Sequence, residues 1–427
     1  MTVSLSVLKQ IIIENQRDIP RKTLVERGEK FDAAASYVLV GLRRVGKSYT
    51  LFEYIQRMLR NGQMAAEDVL YVNFEDDRLY NFAVTDFEAL LTAYHELFGA
   101  ERQPTVFLDE LQNIDGWEKF ARRLADTGHR AFLTGSNAKM LSSEIHTTLG
   151  ARFLMRVIHP FTFREFLKFQ GLTVTPLTLF SPEARDVRRW FDDYLNWGGL
   201  APVFPLSEKR EWLQGLRDNV LLKDIAARQG IRSTEALTML VRKLAESVMQ
   251  PTSVTRLVHL LQSAHMTTTR VTLPSWLQAL RSAYLVESLS NYRDALPERV
   301  TQQKHYFTDN GILRCMLSDP TAKLLENLTA VELLRRYGSD RVFYYRNGVE
   351  VDFYVPEAST AVQVSVSIND PETYRRETRA LVKLKEHCGC RQCLILTMDE
   401  EKTVEESGVT IDVKPLWKWL LEASPKN

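Results

Sequence analysis

The stretch Gly41-Leu42-Arg43-Arg44-Val45-Gly46-Lys47-Ser48 leaves few choices for the fold around it. Its spacing is G-x-x-x-x-G-K-[ST], and it joins two segments of different periodicity. Tyr37-Val38-Leu39-Val40 upstream is a short apolar run of strand type. Downstream, Tyr49 to Ile55 repeats its apolar residues at helical spacing. Two glycines let the connecting backbone turn tightly, so that successive N–H groups point inward at phosphate oxygens. The helix that follows turns the positive end of its dipole to the same place. Lys47 is positioned for β- and γ-phosphates and Ser48 for a Mg²⁺ ion. The sequence therefore predicts a nucleoside triphosphate site made by Gly41, Arg43, Arg44, Val45, Gly46, Lys47, Ser48 and Tyr49.

A chain of 427 residues, 44% hydrophobic and 26% charged, has material for roughly two to four ordinary globular domains. Its net charge of +1 selects no partner. Between Ile225 and Val300, however, nine Lys/Arg stand against five Asp/Glu. That local excess fits a nucleic-acid face and a solvated surface about equally. Four cysteines make no disulfide framework in a chain of this length and fit a reducing compartment. Cys388, Cys390 and Cys393 crowd together without a second metal-spaced pair, so they read as ordinary thiols at the start of a strand. Ile11-Ile12-Ile13 is too short a core for a signal peptide, and no stretch approaches ~18 apolar residues. The expectation is a cytoplasmic protein with no membrane partner.

Strand-like runs at Ser36–Val40, Val69–Phe74, Thr105–Leu108 and Ala131–Thr134 alternate with helical stretches at Tyr49–Asn61, Thr85–Phe98 and Trp117–Thr127. Such alternation predicts a parallel sheet with helices on both faces. Residues 1 to about 35 read as a helical lead-in. From Pro160 to Gln229 the chain turns mainly helical, with a break at Gly198-Gly199. Three short helices at Thr234–Val248, Val254–Ser263 and Leu273–Ala283, then a strand-like Tyr284–Leu289, suit a winged helix-turn-helix. After Lys304 a helix, a run of strands, a second helix and a further strand make another small α/β domain.

Binding needs the loop; hydrolysis needs acids. Val106-Phe107-Leu108-Asp109-Glu110 is an apolar strand ending in two of them. Asp109 stands where a carboxylate would hold the Mg²⁺ shell, and Glu110 where a base would orient the attacking water. The next strand ends in Leu133-Thr134-Gly135-Ser136-Asn137, and a polar residue there would sit beside the γ-phosphate. Asn137 is assigned that place, with Ser136 close behind. Gly150-Ala151-Arg152 supplies an arginine for transition-state charge, in cis or from a neighbouring subunit, and Arg156 is its alternative.

Together these strings, with Leu108 to Trp117 and Pro160-Phe161-Thr162-Phe163-Arg164-Glu165-Phe166, resemble the prokaryotic AAA-type P-loop ATPases of the origin-recognition and STAND-like clade. The resemblance spans essentially the whole chain. It implies an α/β fold: a P-loop AAA-type core with a parallel sheet (1–158), a helical lid (159–230), a winged helix-turn-helix (231–303) and a C-terminal α/β domain (304–427). It also implies adenine over guanine, and Asn137 as the residue called sensor 1.

The C-terminal order resembles the restriction-endonuclease-like, or PD-(D/E)xK, fold. That site takes a helix acid, here Glu332, a hairpin acid, here Asp352, and then Glu-x-Lys. This chain has Gln363-Val364-Ser365 instead, with Lys383 or Lys385 as replacements from the next helix. Neutral glutamine and serine argue for a fold kept for binding. In the winged segment Arg270, Arg281 and Arg293 suit phosphate contacts, and Ser275, Trp276 and Gln278 suit a groove of duplex DNA. Packing against protein is the competing role. The function predicted is an ATP-hydrolysing switch acting through its other domains, with a protein partner or a second copy of the chain as further candidates. An ATP-gated nuclease and a non-hydrolysing ATP-bound scaffold are the alternatives.

Overall fold

A computed structural model describes residues 3–135, 149–175, 177–178, 181–266 and 268–422. The chain divides into two compact units, Met1–His159 and Pro160–Asn427.

In the first unit, β1 (Ser36–Val40), β2 (Val69–Asn73), β3 (Thr105–Asp109), β4 (Ala131–Thr134) and β5 (Phe153–Val157) form one parallel sheet in the order β2-β3-β4-β1-β5. The four strands β1 to β4 are buried nearly throughout, which is why they read as unbroken apolar runs. Strand β2 lies at an edge. The helix Leu5–Asp18 covers that edge: the Gln16 amide donates to the Val69 carbonyl at 2.8 Å and the Asn15 amide to the Tyr71 carbonyl at 3.3 Å. Carbonyls two residues apart point the same way, so one helix serves both.

The lead-in departs from the expected helix. It is α-helical at Leu5–Asp18, takes one 3₁₀ turn at Ile19–Arg21, and then runs as an irregular strap to Ala35. Side chains from the sheet and its helix hold the strap by its carbonyls: Gln56 to Lys22 at 2.8 Å, Arg57 to Glu29 at 2.6 Å and Arg130 to Asp32 at 2.6 Å. A helix would have consumed those acceptors internally.

The second unit begins with helices at Phe163–Phe169, Ala184–Trp197 and Lys209–Asn219, the last passing into a π-helical stretch, Val220–Ala226. Helices Thr234–Glu246, Val254–Ser263 and Thr272–Ser282 follow. With them goes a small antiparallel sheet ordered β6-β8-β7, made of Thr252–Ser253 (β6), Val286–Ser290 (β7) and Gln302–Phe307 (β8). The expected boundary at 303/304 therefore falls inside β8. Trp276 is buried in this bundle, so it is a core residue and not a groove contact.

A buried polar knot ties these helices to the rest of the unit. Asp309 accepts from the backbone N–H groups of Gly199 (2.8 Å), Gly311 (2.9 Å) and Ile312 (3.2 Å). Asn310 donates to the carbonyls of Leu195 and Leu324, and Asn327 donates to Asn310 and to the Phe307 carbonyl. The glycines are obligatory for contact. A Cβ on Gly199 would lie 2.3 Å from the Phe161 carbonyl oxygen, and one on Gly311 2.3 Å from that of Trp197.

The helix Thr321–Tyr337 leads into a six-stranded mixed sheet ordered β13-β14-β12-β11-β10-β9. Its strands are Phe343–Arg346 (β9), Glu350–Val355 (β10), Thr360–Val364 (β11), Gln392–Thr397 (β12), Lys402–Glu406 (β13) and Val409–Pro415 (β14). The helix Pro371–Cys388 joins β11 to β12. No helix among the described residues is long and apolar enough to cross a membrane.

Candidate nucleotide site

The phosphate loop leaves the C-terminal end of β1, a strand hydrogen-bonded on both sides by β4 and β5. Three of its residues adopt left-handed or otherwise positive φ: Gly41 at 146°, Arg44 at 65° and Gly46 at 100°. Gly41 is also forced by space, because a Cβ there would sit 2.3 Å from the Ile158 carbonyl oxygen. The helix Lys47–Arg60 starts directly from Gly46. The Lys47 side chain is buried, and its ammonium donates to the carbonyls of Gly41 (3.4 Å) and Leu42 (3.5 Å) inside the loop. Leu42 and Val45 turn inward and are buried, whereas Arg44 and Tyr49 face outward. Arg43 lies 3.8 Å from Glu75, just beyond β2.

Asp109 is fully buried at the end of β3. Its Oδ2 accepts from the Tyr71 hydroxyl at 2.6 Å and its Oδ1 from the Thr134 hydroxyl, and the Ser48 hydroxyl lies near enough to favour the charged carboxylate. Burial pushes the Asp109 carboxyl above its ordinary range, and the Ser48, Thr134 and Tyr71 hydroxyls pull it back. Ser48 and Asp109 thus stand together as hard oxygen donors, a set that fits Mg²⁺.

Glu110 takes a left-handed conformation, φ 59° and ψ 42°, which costs a non-glycine residue energy and recurs where a side chain must be aimed. Its N–H donates to Thr134 Oγ1 at 3.0 Å, and its Oε2 accepts from the Gln112 amide at 2.6 Å. Thr134 therefore spends its proton on Asp109 and a lone pair on Glu110, linking the two acids. Burial, then the Glu110 charge, raises the carboxyl of Glu75 on the neighbouring strand's exit.

Of the residues expected at the site, the structure brings together the loop, Ser48, Asp109 and Glu110. Asn137 and Ser136 lie outside the described residues. Arg152 is elsewhere. It pairs with Asp126 just before β5, and β5 starts beside Ser36 and runs parallel to β1. The loop leaves the other end of β1, four residue steps or ~13 Å away. That position corrects the reading of Arg152 as a charge-stabilising group in cis. Arg156 is held on the Lys30 carbonyl and over the Tyr37 ring. Tyr71, Thr134 and Glu75 were not anticipated. Tyr71 and Thr134 look like ordinary strand residues until the register β2-β3-β4 sets both hydroxyls against one carboxylate. Arg27 of the strap also reaches the site, donating to the carbonyls of His159 (2.7 Å) and Val45 (3.5 Å).

Residues 34–167 match the family model of an AAA domain, and residues 188–323 match a domain of unknown function. An uncharacterized protein of Haemophilus influenzae is 30% identical over 395 residues, 90% of this chain and 94% of its own. One of Methanocaldococcus jannaschii is 29% identical, with 97% and 95% covered. Among solved structures, the Walker-type ATPase of Pyrococcus abyssi shares 14% identity at a TM-score of 0.39, over 69% of this chain and 98% of that one.

Proposed function

We infer that this chain, which belongs to the family of that Haemophilus influenzae protein, binds ATP with Mg²⁺, hydrolyses it, and uses the cycle as a switch acting through its second unit. The observation that carries this reading is the buried Asp109, which lies beside the phosphate-loop serine and is tied by hydrogen bonds through Thr134 to Glu110. Lys47 and the loop N–H groups bind the phosphates, and Ser48 and Asp109 hold the metal. A Mg²⁺ ion bound there supplies neutralisation of phosphate charge. Glu110, fixed by Gln112 and by its left-handed backbone, orients and deprotonates the attacking water. Adenine is favoured by the AAA-domain match.

In this reading the segment 234–307 is a winged helix-turn-helix that contacts protein rather than duplex DNA. Its third helix exposes Thr272, Pro274, Ser275 and Gln278, all neutral, and Arg281 is turned onto Gln278 at 2.7 Å. Nuclease action is left out. The Gln363 amide is committed to Glu377, the Glu350 carbonyl and the Asp352 N–H, and the Ser365 hydroxyl donates to the Ser367 carbonyl. Phosphate release from ATP by the full chain tests the proposal. Release should require Mg²⁺ and stop with EDTA. ATP binding without any release would leave only the scaffold reading.

A further inference from the structure

Lys304, on β8, is completely buried, yet it carries a charge that no apolar interior tolerates alone. Its ammonium lies 3.0 Å from Glu350 Oε1, 3.2 Å from Asp352 Oδ1 and 3.4 Å from Glu326 Oε1. An ammonium has three protons, and here three carboxylates from two elements of the C-terminal fold receive them. The face of Tyr344 closes the fourth side, 5.7 Å away. Strand alternation places Tyr306 on the same face of β8, and its hydroxyl donates to Glu326 Oε1 at 2.6 Å. Asp352 is fixed from behind by the Val364 N–H at 3.0 Å.

Two features point to a cation as the natural occupant of this cluster. Three carboxylates converge on the one ammonium, and the next cation, Arg346, reaches only Glu350 from the rim at 3.8 Å. In addition, Glu326 Oε2 is buried and has no hydrogen-bond partner. Burial, and then the nearby Asp352 charge, push the Glu326 carboxyl up to about 7. The sequence pointed to Glu332 as the helix acid, but that residue is clamped by Arg335 and Arg336, each at 2.6 Å. Six positions turn a helix by about 240°, so Glu326 and Glu332 look in different directions.

We propose that Lys304 is the resident cation of a divalent-metal type of site. Its ammonium takes the place of the ion among Glu326, Glu350 and Asp352, making the C-terminal sheet a metal-independent joint with β8. Removing the lysine opens the site to a hard divalent cation such as Mn²⁺.

The test is a Mn²⁺ titration of the full chain without nucleotide, read by the electron paramagnetic resonance signal of free Mn²⁺ and by Tm. All samples carry Asp109→Asn to remove the phosphate-loop metal site. With Lys304 intact, no stoichiometric Mn²⁺ should bind and Tm should not move. Lys304→Ala should bind one Mn²⁺ per chain with a rise in Tm, and adding Glu326→Gln should abolish both. If Lys304→Ala is unfolded alone, Mn²⁺ should restore the fold. Mn²⁺ held by the Lys304 chain and lost with Glu326→Gln would overturn the proposal. So would a Lys304→Ala chain that neither binds Mn²⁺ nor is rescued by it.

Discussion

Replacing Lys47 by alanine is expected to weaken ATP binding by a factor of about a hundred or more while leaving the fold intact. The ammonium is buried inside the loop, where a charge-assisted hydrogen bond to phosphate is worth about 1.5–3 kcal/mol. Two such bonds make about 3–6 kcal/mol, and each ~1.4 kcal/mol is tenfold in affinity. Its hydrogen bonds to the loop carbonyls are long, 3.4 and 3.5 Å, so truncation should cost the apo chain little. Calorimetric titration with ATP and Mg²⁺, beside a circular-dichroism melt, checks both halves. Unchanged affinity would remove the loop from the nucleotide site.

The second large effect belongs to the polar knot of the second unit. Gly199→Ala puts a methyl group 2.3 Å from the Phe161 carbonyl oxygen and 2.9 Å from its nitrogen, and both neighbours are backbone. The clash cannot be relieved by a rotamer. Relief by backbone movement would break the Gly199 N–H bond to Asp309 and the Phe161 N–H bond to the Gly199 carbonyl. Overpacking of this kind costs about 1–3 kcal/mol, and a broken buried hydrogen bond adds about 1–3 kcal/mol. Together these make about 2–6 kcal/mol, and for a unit of this size each kcal/mol moves Tm by ~2–4 °C, so a drop of roughly 4–24 °C is expected in a calorimetric melt. Gly215, where a Cβ meets nothing within 4 Å, is the control: it sits inside the helix Lys209–Asn219, so its alanine variant should melt about 2–4 °C above the parent. Equal melting of the two variants would mean that the knot contributes nothing.

The phosphate loop was legible because its constraint is local: glycines at the two tight positions, between a strand and a helix. Asp109 and Glu110 were legible because a strand that ends in acids advertises its end. Thr134 and Tyr71 were not, since a hydroxyl on a buried strand has no periodic signature, and its meaning comes from the neighbouring strand's register. Glu332, expected as the helix acid of the C-terminal unit, pairs instead with Arg335 and Arg336 of its own helix, an arrangement the motif order does not reveal. Lys304 was out of reach for a different reason. It enters from β8, a strand of another sheet, and no spacing rule links it to Asp352. Arg152 was drawn by motif order, which says nothing of which end of a parallel strand a residue occupies.

The most direct measurement is a comparison of the intact chain with Glu110→Gln for both ATP affinity and single-turnover hydrolysis at saturating Mg²⁺. Glutamine keeps the size of the side chain but cannot take a proton, so removing a positioned general base should slow hydrolysis by about 10²–10⁴-fold. Affinity should stay within about threefold, because Glu110 is not among the phosphate-binding groups, and the variant should hold ATP uncleaved. Hydrolysis by Glu110→Gln at the rate of the intact chain would contradict the assignment of this site as the chain's ATP-hydrolysing centre.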